Sequence, residues 1–399
     1  MNRTTENWRR NLYVLWFGTF MSGAANSMIV PFIPLYINEL GDFTTKQVTL
    51  WSGIIFSATF LAMAVISPFW GKMADLKGRK LMLLRSAFSM SIVIFLMGFV
   101  TDVYQLFFLR VLLGLLSGFK SNSIALMATS APKEHGGQVL GTLATGSVAG
   151  GLIGPIMGGL IAEFFGYRTT FFCTGVIIFL VFIMTALMVR ENFTPVQANK
   201  VNISIKALFG QLQKPHVILG MLLTTMVIQI TNNSINPILS LYVKQILQGD
   251  TNVSLISGII AALPGVATLI AAPQFGKIGD RWGTQKILMG GLLLSVLLFI
   301  PMAYVQSIWQ LGVLRFFIGV SDAALLPSIQ AILMKNSPPE ATGRIFSYNQ
   351  TAQSSGNVVG PMVGSTISGH FGFPIVFFAT SAFALINFLV VRFVAREKE

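Results

Sequence analysis

Charge is scarce in this chain. Only 10% of its 399 residues are Asp, Glu, Lys or Arg, and just 14 are acids. Soluble domains carry about 25% charge, so a water-facing surface of ordinary extent is excluded. Cysteine is scarcer still: Cys173 stands alone, which rules out an intramolecular disulfide and a cysteine metal site and fits a small apolar packing role. The chain has no Gly-x-x-x-x-Gly-Lys-Ser/Thr loop, so ATP-driven work would need a partner. Nor does it have a Cys/His cluster or a Ser-His-Asp arrangement. It is therefore not expected to be an enzyme, and neither a metal nor an organic cofactor is expected.

What is present is apolar. Hydrophobic residues make up 53% of the chain and the mean hydropathy is +0.71, so lipid is the relevant solvent. Stretches of about 20 apolar residues cross the hydrocarbon core. Twelve occur, near 12–37, 48–70, 81–101, 103–127, 138–162, 168–190, 215–245, 253–274, 285–304, 308–334, 343–368 and 372–394. The net charge of +13 sits in short connections between them, which speaks against a nucleic-acid partner. With the N-terminus inside, 21 Lys or Arg fall on inner loops and tails, while only Lys46, Arg168 and Lys244 fall outside. This positive-inside bias predicts an even number of crossings in the cytoplasmic membrane with both termini cytoplasmic. The first span is longer than a signal peptide's apolar region and has no evident cleavage site, so it is expected to stay.

The chain also repeats itself. Gly71-Lys72-Met73-Ala74-Asp75-Leu76-Lys77-Gly78-Arg79-Lys80 returns as Gly276-Lys277-Ile278-Gly279-Asp280-Arg281-Trp282-Gly283-Thr284-Gln285-Lys286. Arg110 and Gly114 match Arg315 and Gly319, Gly154-Pro155 and Gly158 match Gly360-Pro361 and Gly364, and Pro31 and Tyr36 match Pro237 and Tyr242. Six crossings return the chain to its starting side, so both halves insert the same way up. The expected fold is all-α: twelve transmembrane helices in two six-helix bundles, 1–190 and 215–399, related by a pseudo-two-fold axis along the membrane normal. Residues 191–214 would be a cytoplasmic linker, with a short surface helix at Ser204–Gln211.

The Gly71–Lys80 segment resembles the signature between helices 2 and 3 of the major facilitator superfamily, and the resemblance covers nearly the whole chain. Gly141, Gly150, Gly154-Pro155 and Gly158-Gly159 resemble the glycine-proline motif of its antiporter branches. Within the twelve-helix drug/proton antiporters, the likeness is to multidrug exporters of the fluoroquinolone-resistance type from Gram-positive bacteria. The resemblance implies a conformational gate in which Asp75 and Arg79, with Gly71, Gly78 and the second copy Gly276, Asp280 and Gly283, lock the inner helix ends and release them as the halves rock. A solvated turn that only sets topology is the other reading. The resemblance also implies proton transfer at Arg110, against a plain tether for carbonyls; the chain departs from the family at Leu113, where glutamine is frequent. For Gly150, Gly154, Pro155, Gly158 and Gly159 it implies close packing of helix 5 against a helix of the other half.

Other candidates come from the residues themselves. Asp322 is the one acid well inside a span. A carboxyl group in a low-dielectric cavity holds its proton more readily than in water, so it is the candidate proton site; a structural ion pair with Arg315 or Lys120 is the alternative. Lys120, ten residues after Arg110, either faces a cavity and pairs with Asp322 or snorkels toward phosphate. Gln229, Asn232, Asn233 and Asn236 recur at i, i+3, i+4 and i+7, one stripe on a helix. With Asn26, Asn349, Gln353 and Asn357 they form either a neutral polar cavity lining or amide links between helices. Methionine and phenylalanine, at 18 and 33 copies, are either a plastic drug pocket or lipid-facing and core residues.

The expected activity is proton-coupled efflux of amphipathic compounds by alternating access, with the proton gradient as energy source. Small molecules and the bilayer are the expected partners of a monomer. A transporter of one metabolite, such as a sugar or an amino-acid derivative, is the competing expectation.

Overall fold

The structure is a computed structural model that describes residues 3–132, 135–191, 215–248, 252–337 and 342–396. Apart from Glu191, the expected linker and its surface helix lie outside the described residues. Every regular element among the described residues is helical. In order these are α1 (Arg3–Ile29), α2 (Ile33–Glu39), α3 (Thr45–Lys77), α4 (Arg79–Met97), α5 (Val103–Leu116), α6 (Phe119–Ser130), α7 (Gly136–Phe165) and α8 (Tyr167–Met188). They continue as α9 (Pro215–Ile235), α10 (Leu239–Ile246), α11 (Val253–Trp282), α12 (Thr284–Met302), α13 (Ile308–Lys335), α14 (Thr342–Phe371) and α15 (Phe373–Arg396).

The two signature segments, which lie between apolar spans in the sequence, are helical rather than open loops. α3 continues through Gly71 and Asp75 to Lys77, and α11 continues through Gly276 and Asp280 to Trp282. Each reversal is one residue long. Gly78 (φ 94°) and Gly283 (φ 96°) make it, a left-handed conformation that costs glycine nothing sterically.

Eleven helical segments are long and apolar enough to cross a membrane among the described residues, one fewer than the twelve expected. The difference is α14. At 30 residues it is about 45 Å long at 1.5 Å per residue, ample for a crossing, but Asn349, Gln353, Ser354, Ser355 and Asn357 lower its apolarity.

Three expected spans are interrupted. The first joins α1 to α2 through a 3₁₀ turn at Val30–Phe32 that carries Pro31, the fourth breaks at Ser117–Gly118 with Gly118 at φ 137°, and the seventh breaks between Ile235 and Leu239 around Pro237. Broken helices leave carbonyls unpaired, which hydrocarbon does not tolerate. At the fourth span side chains meet the need: Arg85 Nη2 donates to Ser117 O (3.2 Å) and Trp70 Nε1 to Leu115 O (2.7 Å). The Arg85 guanidinium lies 3.5 Å from the Trp70 ring centre, so one cation–π pair seals the break.

By internal contacts the chain forms two compact units. The first is Met1–Asp42, Ala58–Ala198 and Thr251–Ala262; the second is Phe43–Ser57, Asn199–Asp250 and Leu263–Glu399. The units thus exchange the first turns of α3 and α11 relative to a division by chain order. In the first unit α1 packs on α7 and α4 on α8; in the second the matching pairs are α9 on α14 and α12 on α15. The repeat extends to single hydrogen bonds. Tyr36 Oη donates to Met97 O at the end of α4, and Tyr242 Oη to Met302 O at the end of α12, both at 2.9 Å. The second unit's core gathers Ile218, Met221, Leu288, Leu292, Ile329 and Leu333, all 1% exposed or less.

Close packing against a helix of the other half was expected of Gly150, Gly154 and Gly158; their nearest neighbours are on α1. A Cβ at these positions would strike the carbonyls of Phe20, Ala24 and Met28. Gly356, Gly360 and Gly364 do the same against α9. The contact with the second half of the chain is made one residue further round, where Gly159 meets Ser254 and Leu255 of α11. By contrast, a Cβ at Gly141 or Gly151 meets nothing within 4 Å.

Gly150→Ala should therefore lower thermal stability in detergent by about 1–3 kcal/mol through overpacking, whereas Gly151→Ala should be neutral or gain up to about 1 kcal/mol through helix propensity. Equal melting temperatures for the two variants would refute this packing.

Candidate functional site

Asp322 sits near the middle of α13, a helix started by a capping box of Ser307 and Gln310. It is half-buried and accepts at Oδ1 from Asn232 Nδ2 of α9 at 3.0 Å. It lines a cavity of about 320 Å³ with Ile228, Asn232, Thr268, Ala323, Leu326 and Pro327. The Thr268 hydroxyl is engaged elsewhere, with the carbonyls of Pro264 and Gly319, both at 2.8 Å. Among the described residues of the second unit no cation lies within ion-pair distance of Asp322, so the pairing with Arg315 is not formed. A carboxyl group whose partner is a neutral amide can take up or release a proton without stranding a buried cation. Such a group suits proton exchange and the recognition of a substrate's charge.

The amide stripe of α9 divides. Asn232 turns to Asp322, but Asn233 Nδ2 donates to Asn357 Oδ1 of α14 at 3.0 Å and to Gln229 O at 2.9 Å, and Asn236 Nδ2 donates to Asn233 Oδ1 at 3.0 Å. Asn349 is 3% exposed and accepts from Thr225 Oγ1 at 2.7 Å. Asn233 and Asn349 thus link α9 to α14, each bond worth about 0.6 kcal/mol, and Asn236 extends the Asn233 bond along its own segment. Gln229 and Gln353 are half-buried on α9 and α14.

In the first unit Arg110 is 6% exposed, with Nε and Nη2 lacking partners; Arg315 is 7% exposed in the second, with Nε lacking one. Both arginines are buried, as their spans required. Lys120 is exposed on the first turn of α6, directly after the Gly118 break. Asn26 is exposed and donates to Ser22 O at 2.8 Å. The expected continuous fourth span gave no hint of that break, although Ser117-Gly118 is a turn-prone pair.

At the α3–α4 reversal Arg79 Nη2 reaches Asp75 Oδ1 at 3.4 Å, four residues back across Gly78, so this pair joins the two helix ends. Gly71 lies within α3 with open space around it, and the Asp280 side chain lies outside what is described. A stronger tie went unnoticed in the sequence. Glu191 Oε1 accepts from the N–H of Arg79 (2.9 Å) and Oε2 from that of Lys80 (2.7 Å). The carboxylate caps the start of α4, where helix N–H groups are unpaired and the dipole favours an anion. Lys80 Nζ returns to Ala186 O at 3.1 Å, and Asn11 exchanges two bonds with the backbone of Arg190 (2.7 and 3.1 Å).

A helical membrane protein with a duplicated glycine-turn hairpin, interrupted spans and one isolated acid beside a cavity is a secondary transporter in design. The chain belongs to the Major Facilitator Superfamily, whose family model matches residues 15–248 and 221–399. It is 50% identical over 383 residues to the multidrug resistance protein MdtG of Escherichia fergusonii, covering 96% of this chain and 94% of that protein. It is 48% identical over 384 residues to MdtG of Klebsiella pneumoniae (96% and 93%). Among solved structures, it resembles in fold a bacterial homologue of the human lysosomal transporter Spinster (TM-score 0.80, 15% identity, 96% of each chain). It likewise resembles the human organic anion transporter MFSD10 (TM-score 0.71, 16% identity, 96% and 99%).

Glu191→Ala should destabilise the protein by about 0.5–2 kcal/mol, the usual cost of a lost helix cap, and should speed hydrogen exchange at the Arg79 and Lys80 amides. Unchanged exchange at those two amides would show that the cap carries no energy.

Proposed function

We propose that the protein exports amphipathic, hydrophobic drugs or toxic compounds across the bacterial cytoplasmic membrane by proton antiport and alternating access, acting as a monomer with both termini cytoplasmic. Support comes from two directions: the multidrug resistance proteins at about half identity over nearly the full chain, and the isolation of Asp322 in a mostly apolar cavity with a neutral partner. The second carries the proton coupling. In this reading Asp322 releases its proton to the inside and recharges from the outside, and the amphipathic substrate occupies the cavity when the proton is absent. Arg110 assists proton movement in the first half, and the Asp75–Arg79 pair breaks and re-forms as the inner helix ends part.

The energetics permit this with one proton. Moving one charge through roughly 150 mV yields about 3.5 kcal/mol, from about 2.3 kcal/mol per 100 mV. At 1.4 kcal/mol per tenfold that sustains a gradient of roughly 300-fold.

The test is dye efflux from energised vesicles with and without an uncoupler. The native chain should pump, and lose at least about tenfold in rate when uncoupled, which would correspond to some 1.4 kcal/mol of lost drive; Asp322→Asn should show only the slow, uncoupler-insensitive rate. Asp322→Asn pumping as fast as the native chain would overturn the assignment of the proton site.

A further inference from the structure

Glu163 is the one acid near the end of α7, three residues before its terminating Gly166, and the activity proposed above makes no use of it. It does not face solvent alone. Its Oε1 accepts from the N–H of Asn252 at 2.9 Å and its Oε2 from the N–H of Ser254 at 3.1 Å, so one carboxylate spans the start of α11. Tyr167 Oη adds a bond to Ser254 Oγ at 3.1 Å. One helical turn earlier the backbones themselves meet: a Cβ on Gly258 would strike the carbonyl of Pro155, and one on Gly159 would lie 2.9 Å from Ser254 O. The α7–α11 seam, within the first unit, is thus a glycine-permitted contact closed at its end by a charged clasp.

The equivalent seam in the second unit, α14 against α3, has no carboxylate at the equivalent position. The repeat places Gly369 where Glu163 stands, and Gly53 packs against Ser365 as Gly258 packs against Pro155. The start of α3 is capped by its own side chains: Thr44 N–H and Oγ1 donate to Gln47 Oε1 at 2.9 and 3.0 Å, and Gln47 N–H donates to Thr44 Oγ1 at 3.3 Å. When α3 and α14 separate, that cap travels with α3. When α7 and α11 separate, Asn252 and Ser254 lose a charged acceptor, a class of hydrogen bond stronger than neutral ones.

We propose that Glu163 is a positioning residue that latches the α7–α11 seam and sets how often this end of the transporter opens, so that the two seams, alike in packing, differ in the ease of parting. The positive-inside bias puts the latch on the outer face. The inference rests on the alternating-access reading for the meaning of opening, but its test does not use transport. In a Cys173→Ala background, Leu255→Cys places a thiol in the seam, and its rate of modification by a membrane-impermeant maleimide reports opening without drug or proton gradient. Glu163→Ala should raise that rate about tenfold, with Glu163→Gln intermediate because its amide keeps one acceptor oxygen; Thr44→Ala, at the other seam, should leave it unchanged. An unchanged rate in Glu163→Ala, with melting temperature and elution volume as for the parent, would overturn the latch. Should Glu163→Ala fail to fold, Glu163→Gln decides: an unchanged rate overturns the latch and a faster one supports it. A response here alongside uncoupler-insensitive native efflux would keep the latch and discard proton coupling.

Discussion

In hydrocarbon there is no water to pair a stray N–H or C=O, and that constraint governs this structure more than any contact between side chains. Helices pair their own backbone except at ends and breaks, so the informative polar side chains are those assigned to ends and breaks. Tyr36 and Tyr242 serve the last carbonyls of α4 and α12. Trp70 and Arg85 serve the gap between α5 and α6, and Glu191 and Glu163 serve the first N–H groups of α4 and α11. Few of these are chemically unusual residues. What they have in common is that each lets the chain turn or stop where lipid or protein interior would otherwise forbid it.

The repeat shows how this bookkeeping separates the two halves. Counting on from the matched Arg110 and Arg315, Asp322 corresponds to Ser117, and Arg85 corresponds to Gly290. In the first half the helix breaks at that position, and a cation from α4 closes the break. In the second half the helix runs through, nothing lies within 4 Å of a Cβ at Gly290, and the position carries an acid bonded to a neutral amide. Arg85 thus has a structural acceptor, Ser117 O, while among the described residues of its unit Asp322 has no cation within ion-pair distance. At the equivalent depth one half thus carries a closed backbone break and the other an acid bonded to a neutral amide.

Much of this was legible in the chain. Spans and the duplication follow from apolar length and from Gly78 and Gly283, whose left-handed φ no other residue adopts as readily. Asp322 was conspicuous because charge is so rare inside the spans. What could not be read were partners distant in sequence. Asn349 and Asn357 are the same residue type on the same helix, yet one is sealed against Thr225 and the other continues a ladder through Asn233 to Asn236; only the packing of α9 on α14 decides which. Glu191 read as linker because its acceptors' partners begin a helix 111 residues away. The span at 343–368 is legible by length despite its polarity, but where its amides go is not: Asn349 and Asn357 find their partners on α9, which a hydropathy profile has no means of counting.

The satisfied amides bear on how a cavity can serve many substrates. A lining of fixed charges would demand a matching charge at each visit, and each unpaired charge would be costly in low dielectric. An asparagine ladder that is already paired imposes no such demand, since Asn233, Asn236 and Asn357 answer one another. Directional recognition near the cavity then falls to Asp322 and Asn232, and the remaining wall, Ile228, Ala323, Leu326 and Pro327, offers area without direction. Under the proposed function, selectivity in such a site rests on amphipathic shape and on the single ionisable group, so breadth of substrate and dependence on one acid belong to the same design.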